Sequence, residues 1–350
     1  MRIAQIAPLT ESVPPRLYGG IERVVSFLTE ELVSLGHDVT LFASGDSITK
    51  ARLVAGWPCA LRLDPSIRDA LAPHVAMIDR VYRMADSFDV VHLHTDYWSF
   101  PLFSRQPTPV VATLHGRLDL PELAAVYASF PRVLLVSISN AQREPLPALS
   151  FARTIHHGIP RNLLTPQPVS QQYLAFLGRI SPEKGVVQAI RIAGRAGLRL
   201  KIAAKVDRAD QSYHEQQINP LIQASPWVEF IGEIDDADKA DFLSGAHALL
   251  FPIDWPEPFG LAMVESMACG TPVIGFNRGA VPEVIDHGLT GFVVDNEAGA
   301  LAALTCLGQL SRPAVRQRFE ERFTAERMAN DYLSLYRTLA VPAEPSQQLV

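Results

Sequence analysis

Two rhythms of apolar and polar residues alternate along this chain. Short apolar runs of strand length, "RIAQIAP" (2–8), "DVTLFA" (38–43), "DVVHLH" (89–94), "VVATLH" (110–115) and "RVLLVSIS" (132–139), are set apart by stretches with helical spacing. In the first such stretch Ile21, Val24, Val25, Leu28 and Leu32 recur at helical intervals, and Gly36 stops the helix. Short apolar runs between helices predict parallel strands covered on both faces. The segment "RNLLTPQPVSQQ" (161–172) loses both rhythms and is rich in Pro, Gln and Ser, which predicts a hinge. Beyond it the alternation resumes with "YLAFLG" (173–178), "RLKIAA" (199–204), "WVEFIG" (227–232), "ALLFPI" (248–253), "PVIGF" (272–276) and "GFVV" (291–294). A helical stretch runs from about 313 to 339, and the tail "VPAEPSQQLV" (341–350) has the composition of a disordered segment. The pattern predicts an α/β protein of two doubly wound domains, with a ligand cleft at the carboxyl ends of the strands.

Composition narrows this picture. The 350 residues are 48% apolar, enough for two domains of about 150–170 residues each. Net charge is −6 and the pI is near 5.9, without the overall basic footprint of a nucleic-acid binder. Cys59, Cys269 and Cys306 are scattered and odd in number, which fits a reducing compartment. No apolar run reaches the length of a secretory leader or a membrane span. Arg143, Arg153 and Arg161 form no dense basic cluster, so a cytoplasmic protein with at most weak peripheral membrane contact is expected.

Three loops have the chemistry of phosphate sites. In "YGGIERVV", Gly19 and Gly20 open the first helix, where backbone N–H groups and the helix dipole favour an anion; an ordinary turn fits the motif equally well. In "GRISPEKG" (178–185), Ser181 suits an N-cap and Pro182 the first helical position. Arg179 and Lys184 then sit where the helix dipole disfavours cations, which implies a compensating anion. In "EPFGLAMVESMACGTP" (257–272), a helix is expected to start near Phe259 and Gly260, offering the N–H groups of Gly260, Leu261 and Ala262, and to end at Gly270. Glu257 precedes that helix, and Glu265 lies roughly 8 Å along its axis from Gly260. Two carboxylates flanking such a helix end suit a ligand with a diol on each side of a diphosphate, as in a nucleotide sugar.

"GRISPEKG", "EPFGLAMVESMACGTPVIGF" and "GAVPEVI", together with "YGG" and "TLHG" (113–116), resemble the retaining glycosyltransferases of family 4. The resemblance covers nearly the whole chain and implies the GT-B architecture, two Rossmann-like domains facing a central cleft. Residues 1–165 would form the acceptor side and 166–322 the donor side. Residues 323–340 would be a helix crossing back, followed by the 341–350 tail. It implies that Glu257 holds hydroxyls of the donor sugar and Glu265 the ribose diol. Arg179 and Lys184 would bind the diphosphate with the backbone at Gly20, Leu261 and Ala262. His115 would lie beside the donor sugar, and the backbone at Ile231 and Gly232 would contact the base. Two departures from the family pattern are "HHGIP" (156–160) and "AAKVD" (203–207), where Lys205 would supply charge in place of a glycine-rich loop. The implied reaction is front-face hexose transfer with retention. No cofactor or metal is implied, and the catalytic group would be His115, Arg179, Lys184 and Glu257.

The remaining polar residues add less. His92 and His94 share a strand face, but no third ligand stands at a recognised spacing, so a metal is not expected. His94 and Asp96 are candidates for the acceptor pocket. "EIDDADK" (233–239) reads as a helix start, and Trp255 could stack on a sugar or only pack. The expected partners are a UDP-sugar, UDP-glucose first, and an unidentified hydroxyl acceptor: a polysaccharide or glycolipid intermediate, or a small alcohol such as a pterin. A GDP-mannose-type donor, an epimerase of the same fold and a non-catalytic nucleotide-sugar binder are the alternatives.

Overall fold

The computed structural model describes residues 1–16 and 19–340. Tyr18 of the first glycine loop and the 341–350 tail lie outside them. The chain divides into two units. One comprises 1–138, 143–156 and the described residues from Ala325 onward; the other comprises 139–142 and 157–324. The 161–172 segment therefore lies inside the second unit. Chain connectivity alone does not assign 139–142. Glu283 does: its carboxylate accepts from the backbone N–H groups of Asn140 at 2.8 Å and Ala141 at 2.6 Å.

The first unit is built on seven parallel strands: β1 Arg2–Ile6, β2 Asp38–Ser44, β3 Arg52–Trp57, β4 Val90–Leu93, β5 Val110–Thr113, β6 Leu134–Ser137 and β7 Phe151–Thr154. Their order is β3-β2-β1-β4-β5-β6-β7. The central strands are buried throughout, as continuous apolar runs require when helices cover both faces. Strands β3 and β7 escape sequence pattern because they are edges, with mixed burial and one irregular register each. The chain order reverses between β1 and β4, so the carboxyl ends of these two strands form the switch point where such sheets present ligands.

The second unit has six parallel strands: β8 Tyr173–Arg179, β9 Leu200–Lys205, β10 Val228–Gly232, β11 Ala246–Phe251, β12 Val273–Phe276 and β13 Gly291–Val294, in the order β10-β9-β8-β11-β12-β13. Its switch point lies between β8 and β11, the two strands that lead into the Arg179 and Glu257 loops. Leu174, Phe176, Ile202, Leu250 and Ile274 lie in the core of this unit.

The helical stretch expected from about 313 to 339 is two helices, Arg312–Arg322 and Ala325–Ala340, broken at Phe323 and Thr324. The break lets the second helix leave the second unit and join the first. There Tyr332 and Tyr336, one turn apart, are fully buried against β4 and β5. Among the described residues no helix is long and apolar enough to cross a membrane.

Tyr332 fills core volume, and its hydroxyl lies 2.8 Å from the Thr113 hydroxyl. Tyr332→Ala should lower the stability of the first unit by about 3–5 kcal/mol through cavity formation, whereas Tyr332→Phe should cost only about 1 kcal/mol. Urea unfolding of both variants, read by a probe confined to the first unit, measures the difference.

Candidate active site

Three loops meet at the carboxyl edge of the second sheet. The loop after β8 carries Arg179 to Gly185. Its middle is a 3-10 turn, Pro182–Lys184, flanked by Ser181 with extended backbone and no side-chain cap bond. The α-helix begins only at Val186, after Gly185 has adopted left-handed φ of 75°. The expectation that Ser181 caps a helix starting at Pro182 is thus corrected. The cause lies in the neighbouring loop after β11. Asp254 N–H donates to the Glu183 carbonyl at 2.8 Å, and a Cβ on Gly185 would stand 1.9 Å from the Pro252 carbonyl oxygen. Only glycine permits that approach, and it holds the loop out of helical geometry.

The third loop, after β12, locks Glu257. Ala280 N–H donates to the Glu257 carbonyl at 2.9 Å. A Cβ on Gly279, whose φ is 51°, would lie 2.3 Å from the same carbonyl oxygen. The Glu257 side chain is buried and accepts from Lys184 Nζ at 2.5 Å and from Trp255 Nε1 at 2.9 Å. The Lys184 ammonium also lies 4.9 Å from the centroid of the Trp255 ring. Trp255 therefore packs and bonds at once, orienting both charges of the pair.

Past Glu257 the Leu261–Ala268 helix starts after Gly260, close to where the sequence placed it. The side chain of Phe259 is buried against His157 and Phe323, so at this position only backbone can face a ligand. The first N–H groups of the helix have no partner within it. Its other end is held by Arg316, which donates to the Ala268 carbonyl at 2.6 Å, a cation where the dipole favours one. Glu265 is buried inside the helix and accepts from Lys239 Nζ at 2.8 Å. Lys239 also lies 3.2 Å from Asp236. It escaped notice among the acids of "EIDDADK". The available signal was its position three and four residues before the apolar Phe242 and Leu243, which puts it on the buried face of the Asp236–Ser244 helix. Asp235 caps that helix, accepting from Ala237 N–H at 2.9 Å and Asp238 N–H at 3.2 Å.

The cations expected to await an outside anion already have carboxylates beside them. Arg179 is 2.8 Å from Glu183 and 3.6 Å from both Asp207 and Asp210; Lys205 is 3.0 Å from Asp207. The inference of a missing anion is corrected accordingly: the protein supplies its own counter-charges from three adjacent loops. At the end of β10, Gly232 has left-handed φ of 78° and Ile231 is exposed.

In the first unit Gly20 opens the Gly20–Ser34 helix, and a Cβ there would meet nothing within 4 Å. Gly19, its N-cap residue, is crowded by Pro15 and Glu22. Burial, reinforced by the nearby charge of Glu11, pushes the Glu22 carboxyl up. His94 follows β4 and is buried. His115 follows β5 and is half-buried, and burial pushes its imidazole down to about 3. The two rings are hydrogen-bonded, His94 Nδ1 to His115 Nε2, at 2.9 Å. Asp96 is exposed on the turn beyond His94, its carbonyl accepting from Ser99 Oγ at 3.3 Å. His92 Nε2 lies 2.7 Å from the Thr113 hydroxyl and Nδ1 2.6 Å from the Tyr336 hydroxyl, so both ring nitrogens are engaged.

Two open parallel sheets, with a helix N-terminus, paired acids and cations at the switch point of the second, define a doubly wound α/β protein with a polar candidate site at the carboxyl edge of its second sheet. Comparison with known proteins takes the step to family. The family model for glycosyl transferases group 1 matches residues 165–321, and that for glycosyltransferase family 4 matches 18–169. Phosphatidyl-myo-inositol mannosyltransferase of Mycobacterium leprae is 26% identical, with 99% of each chain covered. Glycogen synthase of Mycobacterium tuberculosis is 26% identical, over 91% of this chain and 89% of its own. A solved glycosyltransferase of avilamycin A biosynthesis is 25% identical with a TM-score of 0.73, over 98% of both chains. This chain belongs to glycosyltransferase family 4 and is a glycosyltransferase of the GT-B fold.

The Lys239–Glu265 pair is nearly closed to water, so removing one charge strands the other. Lys239→Met should destabilise the second unit by about 3 kcal/mol, and adding Glu265→Gln should recover part of that loss. Denaturant titration of the single and double variants checks it.

Proposed function

We propose that this chain is a retaining hexosyltransferase that takes glucose from UDP-glucose and joins it to an acceptor hydroxyl without a bound metal. One observation carries the proposal. Glu257 and Glu265 stand on either side of a single helix N-terminus at the switch point, each held by a lysine. A diphosphate placed at that helix end has one sugar toward each carboxylate. In this reading Glu265 accepts from the ribose diol and Glu257 from hydroxyls of the transferred sugar, while the backbone at Ile231 and Gly232 meets the base.

The chemistry follows from the charges. The bond between the anomeric carbon and the diphosphate oxygen breaks, and negative charge grows on the leaving group. Arg179, Lys184 and the helix N–H groups stabilise that charge, with Lys205 beside Arg179. The acceptor oxygen bonds to the anomeric carbon on the same face, and its proton passes to a phosphate oxygen of the leaving diphosphate. The counter-ions seen here have a part in this. An arriving diphosphate draws Lys184 from Glu257 and frees that carboxylate for the sugar. Arg179 likewise exchanges Glu183, Asp207 and Asp210 for phosphate.

Likeness to a glycogen synthase supports a glucose donor. Likeness to a phosphatidyl-myo-inositol mannosyltransferase over the full chain supports a second reading, GDP-mannose. A panel of UDP- and GDP-sugars, with nucleotide release followed in the presence and absence of acceptors, decides between them. Release with UDP-glucose alone among the donors is the expected outcome.

The division of labour between the carboxylates has its own test. Glu265→Gln should weaken UDP and a non-hydrolysable UDP-sugar alike, by roughly 10- to 150-fold for a lost charged hydrogen bond. Glu257→Gln should weaken the UDP-sugar relative to UDP, whose diphosphate then meets a Lys184 already released from its counter-ion. Calorimetric titration separates the two, and equal losses for both ligands in both variants would refute the assignment. Activity should also survive exhaustive EDTA treatment, because protein cations supply the positive charge; a strict requirement for added Mn²⁺ would overturn that part.

A further inference from the structure

The loop after β11 carries a neutral donor that the transfer reaction, as described, leaves unused. Trp255 Nε1 donates to Glu257 Oε2 at 2.9 Å, and Lys184 Nζ donates to the same oxygen at 2.5 Å. Oε1 accepts from no described residue. The two donors are anchored differently. Trp255, Pro256 and Glu257 form a tight turn, closed by the Glu257 N–H donating to the Trp255 carbonyl at 2.8 Å. Ala280 N–H holds the Glu257 carbonyl from the other side at 2.9 Å. The indole–carboxylate bond therefore closes inside one loop whose backbone is fixed. Lys184 reaches the same carboxylate from the loop after β8, 73 positions away in the chain, on a flexible four-carbon stem.

The donors also differ in charge, and charge decides which of them an anion can remove. A diphosphate at the helix N-terminus attracts an ammonium at long range and outbids a single carboxylate for it. An indole carries no net charge and its N–H only donates, so the same anion has little hold on it. A lysine or arginine at position 255 would be drawn away together with Lys184. The indole face, 4.9 Å from the ammonium at its centroid, adds an attraction weaker than the ion pair, which does not prevent the lysine from leaving.

We infer that Trp255 is a positioning residue that keeps hold of Glu257 Oε2 when Lys184 is drawn to a diphosphate, so that Oε1 stays in one orientation to accept from a hydroxyl. The arriving diphosphate and the hydroxyl rest on the function proposed above; the anchoring of the carboxylate by the indole alone does not. A Glu257 that lost both donors would swing toward the lysine or into water. Its contact with a sugar would go with it, while the contacts proposed for the nucleotide, made by Glu265 and backbone, would remain. Trp255 thereby acts on the sugar half of the ligand through Glu257 without touching it.

Indole hydrogen exchange, followed by NMR in the full chain labelled with ¹⁵N-tryptophan, tests the anchor without any substrate. The chain has four tryptophans, and the Trp255 signal is the one lost in Trp255→Phe, which keeps an aromatic ring beside the lysine. Exchange at Trp255 should be as slow in Lys184→Met as in wild type, and roughly tenfold faster in Glu257→Ala, the worth of one hydrogen bond. Lys184→Gln gives the same reading should Lys184→Met fail to fold. Exchange as fast in the lysine variants as in Glu257→Ala, or exchange indifferent to Glu257→Ala, would overturn the proposal. The link to the sugar is read separately, by calorimetry with UDP and a non-hydrolysable UDP-glucose. Trp255→Phe should weaken the UDP-sugar relative to UDP by roughly tenfold, and should add nothing to that ratio in a Glu257→Ala background. Lost packing alone would instead weaken both ligands in both backgrounds. If the indole is anchored as stated but the ratio does not move, the role in sugar binding falls. A chain that binds neither ligand refutes the UDP-sugar donor proposed above, a result on which the exchange data do not depend.

Discussion

The site depends on backbone pressed against backbone. Gly185 lies on the Pro252 carbonyl, Gly279 lies on the Glu257 main chain, and Asp254 and Ala280 close the seams with hydrogen bonds. These contacts join the loops after β8, β11 and β12 into one surface without spending side chains on the joint. Arg179, Lys184, Trp255 and Glu257 project from a platform whose shape tolerates no Cβ at two positions, which fixes their spacing more tightly than rotamers alone could.

The electrostatics follow from that platform. A helix that presents bare N–H groups at one end must be satisfied at the other, and Arg316 at the Ala268 carbonyl does this. Glu257 and Glu265 each accept a hydrogen bond from a lysine, and the lysine beside Glu257 also lies over the Trp255 ring. Desolvated ion pairs contribute little net stability compared with well-packed apolar groups. On the function proposed above, a diphosphate and two diols would take over the same hydrogen bonds.

The first unit handles polarity differently. Its switch point carries neutral groups, linked in series and closed by two phenols from the last helix. Neutral networks buried this deeply order each other, since every donor that turns obliges its neighbour to turn. The break at Phe323 and Thr324 is what delivers those phenols, so a short interruption near the end of the chain reaches the central strands.

The two α/β units, the strands of both sheet interiors, the Leu261–Ala268 helix and the loops bearing Arg179, Lys184, Glu257 and Glu265 were legible in the sequence. Periodicity, helix termini and glycine placement are local properties, decided within a few residues by backbone sterics and hydration. Edge strands β3 and β7 were not, because half-buried edges lack a continuous apolar run. Nor were the partners of the charges. Lys184 meets Glu257 across 73 positions and Lys239 meets Glu265 across 26, while Gln5 reaches Tyr336 across 331. The expectation of an anion missing beside Arg179 failed for the same reason: Glu183, Asp207 and Asp210 surround it only once the strands are side by side. By itself, then, the sequence determined which elements form and which chemical groups stand at their ends. Only the tertiary structure decided which of those groups pair, because the strength of a charge pair or a buried hydrogen bond is set by distance and desolvation, and neither exists until the strands are packed.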